Sequence, residues 1–220
     1  MNLQRNIIAT ALIALCATSS AWATSVTPGS SVVPATINNF FGGTLLNSAQ
    51  TFVSTPTYSG WARSAVYDSG SGLDFYYQFS NDATSVSGIE RLTAFDYKNF
   101  TVDAYQSTAA FGIFVAGTEN VDAVDRGTFG VVGFNFLPTG STKIQPGKSN
   151  YVGILRTNAH NYTAGAFGII DGYATNAVAF APAVPEPETW GMMLLGVGLL
   201  GLTARHRKNR SAPSADQSVA

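Results

Sequence analysis

The chain has 220 residues, of which 45% are hydrophobic and only 11% charged. That length fits one domain plus short targeting segments. The formal net charge of −1 leaves no basic stripe of the kind a nucleic-acid surface needs, so nucleic acid is excluded as a partner. The N-terminus reads as a secretory signal peptide over residues 1–23. Arg5 supplies the positive n-region, Ile7 to Cys16 the apolar h-region, and Ala21-Trp22-Ala23 an A-x-A site for signal peptidase. Leu15 occupies the position where a lipoprotein signal requires a small residue, so lipidation at Cys16 is not expected. Cys16 is the only cysteine. Its removal leaves a mature chain with no disulfide, thiol nucleophile or cysteine metal ligand, held together by its core alone.

Residues 24–183 form the expected passenger domain. They contain seven Lys/Arg and ten Asp/Glu, a balance near −3. Aromatic and β-branched runs are broken repeatedly by Gly, Ser, Asn and Pro. In Asp74-Phe75-Tyr76-Tyr77-Gln78-Phe79-Ser80, residues 75, 77 and 79 share one face and the others take the opposite one, the period of a half-buried strand. Gly130 to Phe136 and Tyr151 to Thr157 read the same way, separated by turns at Pro138-Thr139-Gly140 and Pro146-Gly147. No helix of ten or more residues is expected between 24 and 183. The reading is an all-β antiparallel β-sandwich, jelly-roll or Ig-like. Phe-Gly followed by two apolar residues recurs at Phe111, Phe129 and Phe167; these are expected to be comparable strands in which glycine permits a bulge or close packing.

Within the passenger, chemistry-bearing motifs fail on context. Gly147-Lys148-Ser149 ends like a phosphate loop but lacks the glycine five residues earlier, where Thr142 stands. A turn with a solvated lysine is the expectation there. Asp68 to Asp74 spells loosely like a calcium loop, yet Phe79 occupies the position of the bidentate glutamate. His160 is the single histidine of this stretch and sits in a polar run, without a G-x-S-x-G elbow anywhere to make a triad. The expectation is no catalytic residue, no metal and no cofactor. Trp61, Tyr58, Tyr67, Tyr76, Tyr77, Tyr97 and Tyr105 could stack on sugars if exposed on one face; buried, they are core.

Residues 184–210 have three parts. Val184-Pro185-Glu186-Pro187-Glu188 is stiff and extended, since proline fixes φ and disfavours helix before it. An unbroken apolar stretch follows, Trp190 to Ala204, containing Gly191, Gly196, Gly198 and Gly201. Its Gly196-Val197-Gly198-Leu199-Leu200-Gly201 spells a dinucleotide fingerprint but lies inside the apolar run, with no strand before it and no second strand after it. Glycine here suits a transmembrane helix instead. As a helix the stretch would be about 22 Å long, short of the ~30 Å hydrocarbon core, so it anchors only marginally. Arg205, Arg207, Lys208 and Arg210 form a basic stop retained in the cytoplasm. Residues 211–220 add a polar tail.

This order of motif, glycine-rich helix and basic cluster resembles the PEP-CTERM sorting signal of Gram-negative bacteria, carried by Pro185-Glu186-Pro187, residues 188–204 and the cluster from Arg205. The resemblance covers about 27 residues and is specific as a combination. It implies that Pro185, Glu186 and Pro187 are recognised by exosortase, a membrane-embedded cysteine transpeptidase. The passenger would then stand in the periplasm on an inner-membrane anchor until cutting near the motif carries it to the surface or outside. It also implies association with exopolysaccharide and biofilm. The family usually ends close behind its basic cluster, and Ser211 to Ala220 departs from that pattern. The expected function is a non-enzymatic exported surface or matrix protein. Alternatives are a secreted carbohydrate-binding module and, third, a secreted hydrolase, which two carboxylates facing across a cleft would favour.

Overall fold

The computed structural model describes residues 24–136, 143–183 and 193–197. Among the described residues, thirteen strands carry the passenger. They are β1 (Thr24–Ser25), β2 (Ser31–Val32), β3 (Ala35–Ile37), β4 (Thr44–Ser54), β5 (Ser59–Asp68), β6 (Leu73–Asn81), β7 (Arg91–Ala94), β8 (Val102–Ser107), β9 (Ala123–Arg126), β10 (Val132–Asn135), β11 (Val152–Thr157), β12 (Tyr162–Asp171) and β13 (Tyr173–Pro182). Sheet A runs β1-β8-β11-β6-β5-β4, with β3 beside β8; sheet B runs β13-β12-β7-β10-β9-β2. Every pairing is antiparallel except β3 with β8. The all-β, antiparallel two-sheet reading stands. With seven and six strands, the sheets exceed both the seven-stranded Ig and the eight-stranded jelly-roll frames.

Local sequence explains the turns. Pro56 sits in the β4–β5 hairpin, which closes when the Thr55 amide donates to the Tyr58 carbonyl at 2.8 Å. In the β5–β6 turn the Asp68 carboxylate accepts from the Gly70 amide at 2.8 Å, and Gly70 takes φ +81°, a conformation costly for residues with a Cβ. Pro146-Gly147 forms the expected turn, with Lys148 exposed.

The N-terminal segment laces the two sheets together. β1 pairs with the first half of β8 in sheet A, β2 with β9 in sheet B, and β3 returns to the second half of β8. Arg126, at the end of β9, fastens this strap. Its guanidinium donates to the carbonyls of Val26 at 3.1 Å and Phe100 at 2.8 Å, and to those of Tyr97 and Lys98.

Phe75, Tyr77, Phe79 and Leu155 from sheet A meet Leu92, Val132, Phe134, Phe167 and Ile169 from sheet B in the main core. Gly153 faces the Phe134 ring so closely that a Cβ there would lie 2.6 Å from its Cε1; the glycine makes room for the ring. Inside the core the Tyr77 hydroxyl donates to the Phe180 carbonyl at 2.6 Å and lies 2.7 Å from the Tyr97 hydroxyl. The Tyr77 and Tyr97 phenols thereby have the partners that burial demands.

Two expectations need correction. The 74–80 strand is not half-buried: residues 74 to 79 are all buried. The outer face of sheet A carries a second apolar cluster, in which Phe40, Phe41, Ile113 and Phe114 fold over Tyr67, Tyr76, Tyr105 and Ile154. The alternation identified the two faces correctly, but loops distant in sequence cover the second one. The three Phe-Gly sites are also not comparable strands. Phe111 and Phe114 exchange hydrogen bonds across a tight turn, Phe129-Gly130 lies in the β9–β10 turn, and only Phe167 to Ile170 is strand.

Candidate functional site

The outer face of sheet A is built of cross-strand rows. One row reads Tyr67, Asp74, Arg156, Asp103 across β5, β6, β11 and β8. The next reads Ala65, Tyr76, Ile154, Tyr105. The first row thus alternates charge, carboxylate–guanidinium–carboxylate, and opposite charges side by side on neighbouring strands attract. Arg156 Nε donates to Asp74 Oδ1 at 3.0 Å, and its guanidinium carbon lies 4.2 Å from the centre of the Phe41 ring. Asp74 is 1% exposed, and its Oδ2 has no hydrogen-bond partner. Burial raises its pKa to about 6, although Arg156 pulls the other way. In the low-dielectric site desolvation outweighs a single ion pair.

At the end of this face lies a polar cleft of about 420 Å³, lined by Ser69, Ser71, Asp103, Tyr105, Arg156 and Asn158 among others. The two carboxylates of the row stand on either side of a guanidinium rather than facing each other over a cleft, and Asp74 is closed off from solvent. Within the row Arg156 forms its ion pair with Asp74, at 3.0 Å.

A second feature of this face went unread in the sequence. Arg63 on β5 is 8% exposed, donates to Ser80 Oγ at 2.6 Å, and leaves Nε without a partner. Burial lowers its pKa. A charged residue at a period-two position among apolar neighbours, here Ala62, Ala65 and Val66, is the signal that could have marked it.

The aromatics singled out in the sequence divide sharply. Tyr58, Tyr67, Tyr76, Tyr77, Tyr97 and Tyr105 are buried, and Trp61 alone is exposed, at 39%. Trp61 meets Phe52 edge-on, with interplanar angle 65° and centroids 5.3 Å apart, so the two do not form a flat platform. His160 is exposed in its loop. Among the described residues no group of three or more His, Cys, Asp or Glu could hold a metal. The calcium-like stretch is the β5–β6 turn.

The sorting-signal residues lie largely beyond what the structure describes. Pro185, Glu186, Pro187, Trp190, Gly191, Gly198, Gly201, Arg205, Arg207, Lys208 and Arg210 are outside the described residues, as are Ala21 and Ala23. Gly196 falls in a helical stretch, 193–197, with exposed residues. No helix among the described residues is long and apolar enough to cross a membrane; those five residues are a third of the expected 190–204 span. β1 begins at Thr24, directly after the A-x-A site, and β13 ends at Pro182. Ala183 donates its amide to the Asn161 carbonyl at 2.9 Å.

The described strands thus form two antiparallel sheets of a β-sandwich, the last of them, β13, ending at Pro182. Residues 183–208 match the PEP-CTERM protein-sorting motif. The motif supports an exported protein that exosortase processes. No curated protein and no solved structure matches the chain.

Proposed function

We propose that this chain is a non-enzymatic surface or matrix protein, delivered as an exosortase substrate and associated with exopolysaccharide or biofilm. The observation that carries the reading is the join between fold and signal. The last described strand, β13, ends at Pro182, and the sorting motif starts at residue 183, so cutting near Pro185–Pro187 leaves every described strand in place. In this reading signal peptidase acts after Ala23 and leaves β1 whole. The passenger stands in the periplasm, held by residues 190–204 and the basic stop, until exosortase acts. Burial of six of the seven named tyrosine and tryptophan residues favours a structural passenger over a carbohydrate-binding module. The guanidinium between Asp74 and Asp103 supports a passenger without hydrolytic chemistry.

Replacing Pro185, Glu186 and Pro187 together by alanine tests the route. The released form is expected to disappear, with the uncut chain accumulating in the membrane fraction and the passenger still folded. Release at the wild-type level, with the same C-terminal end, would overturn the reading.

A further inference from the structure

β4 is an open edge of unusual character. It is eleven residues long, it is the outermost strand of sheet A, and eight of its residues (44 to 48, 50, 52 and 54) are exposed. The sequence Thr-Leu-Leu-Asn-Ser-Ala-Gln-Thr-Phe-Val-Ser has no charged residue and no proline. Folded proteins normally blunt long edges with lysine, proline, short length or a bulge. Here the one bulge lies at Leu45/Asn47, leaving Asn47 to Ser54 in unbroken register with β5. The opposite edge of sheet A, by contrast, is closed by the two- and three-residue strands β1 and β3. The other long edge, β13, has residues 179–182 buried and ends in Pro182, which has no amide proton.

The main-chain geometry shows which groups are open. Thr55 and Tyr58 are a hydrogen-bonded pair, and such pairs alternate along an antiparallel ladder. Residues 53, 51, 49 and 47 therefore bond to β5, while Ser48, Gln50, Phe52 and Ser54 aim N–H and C=O away from it. Among the described residues, no further backbone–backbone bond from these four is present; the Ser48 amide donates only to the Oδ1 of its own neighbour Asn47, at 2.9 Å on the exposed edge. An extended strand is the ligand that satisfies such a row. An antiparallel strand about a twofold axis is complementary to itself, so one patch supplies both halves of the interface.

We infer that β4 pairs antiparallel with β4 of a second copy of this chain, about an axis at Thr51. That register places Ser48 opposite Ser54 of the second copy and Gln50 opposite Phe52, and so engages all four open residues of each strand. No like charges meet, because the strand has none. An interface confined to one strand edge is small, below about 1,200 Å² in total, which makes the association weak and dependent on concentration. The inference does not rest on the sorting route.

The test uses the exported chain purified with its natural ends, followed by sedimentation across a concentration series. The wild type is expected to shift from monomer to dimer as concentration rises. Ser48→Lys with Ser54→Lys puts lysines opposite each other at both ends of the joint and is expected to keep the chain monomeric. Ser48→Lys with Ser54→Glu puts opposite charges there and is expected to restore the dimer. Thr51→Cys is expected to form a disulfide-linked dimer across the axis, where paired Cα atoms about 4.5 Å apart are within disulfide reach; Asn99→Cys, exposed and away from β4, is the control. A wild type that stays monomeric throughout, equal behaviour of the two charge variants, or equal cross-linking of the two cysteine variants would overturn the inference.

Discussion

Arg126→Met is expected to destabilise the passenger by about 4 kcal/mol, read as a lowered urea midpoint with an unchanged slope. Arg126 is 4% exposed and has no carboxylate among its hydrogen-bond partners. It directs its donors to four carbonyls, those of Val26, Tyr97, Lys98 and Phe100. Val26 and Tyr97 are themselves buried. Methionine fills a similar volume but removes these donors; the Tyr97 carbonyl keeps only the Phe100 amide at 3.3 Å, and each buried carbonyl left unsatisfied costs about 1–3 kcal/mol. Water from the adjacent cleft of about 370 Å³, lined by Val26, Lys98, Phe100 and Arg126 among others, recovers part of the sum. Against a total stability of about 5–15 kcal/mol for a domain, the loss leaves a marginal fold. Arg126→Lys is expected to recover less than half, because one ammonium cannot span carbonyls arranged around a planar fork. A loss below about 1 kcal/mol for Arg126→Met would show that the strap is held elsewhere.

The second large effect is a stability that rises as the solution is made mildly acidic. Asp74 has its pKa raised from 3.8 to about 6 by burial, against the pull of Arg156. The folded state thus binds this proton more tightly than the unfolded chain does. Above pH 6 the group is charged in both states and its burial opposes folding. As pH falls from 6 towards 4 the folded form takes up the proton and the penalty fades, a difference of about 3 kcal/mol for a shift of roughly two units. Oδ2, without a partner, is the oxygen on which the proton fits. Asp125 works in the opposite sense: burial would raise its pKa, but bonds from Arg91 and Asn135 outweigh that and lower it. Its contribution is therefore lost only below the ordinary carboxylate range. Urea midpoints should climb between pH 7 and about 4 and then fall. Asp74→Asn should flatten that climb while keeping an acceptor for Arg156. A midpoint that falls steadily from pH 7 to pH 5 would contradict the assignment.

The fold class was legible because strand periodicity and turn chemistry are local. The register 75, 77, 79 against 74, 76, 78 and the Pro146-Gly147 turn follow from neighbouring residues alone, and both are present. What could not be read is non-local. Phe40, Phe41 and Phe114 cover the outer face of sheet A from loops far along the chain, so a strand that reads as half-buried is buried on both sides. The Phe-Gly echo misled for a similar reason, since a turn and a strand can carry the same four letters when tertiary packing decides between them. The charge row Asp74–Arg156–Asp103 depends on register between β6, β11 and β8, which separates its members by tens of residues in sequence. The sorting motif, matched at residues 183–208, was legible because its specificity lies in a linear order of segments.

The most direct test of the sorting account is the intact mass and location of the protein in cells with and without their exosortase. The account predicts a form that starts at Thr24, ends near Pro185–Pro187, and is found outside the inner membrane only when exosortase is present. A chain that keeps residues 190–210 and stays in the membrane in both strains would contradict it.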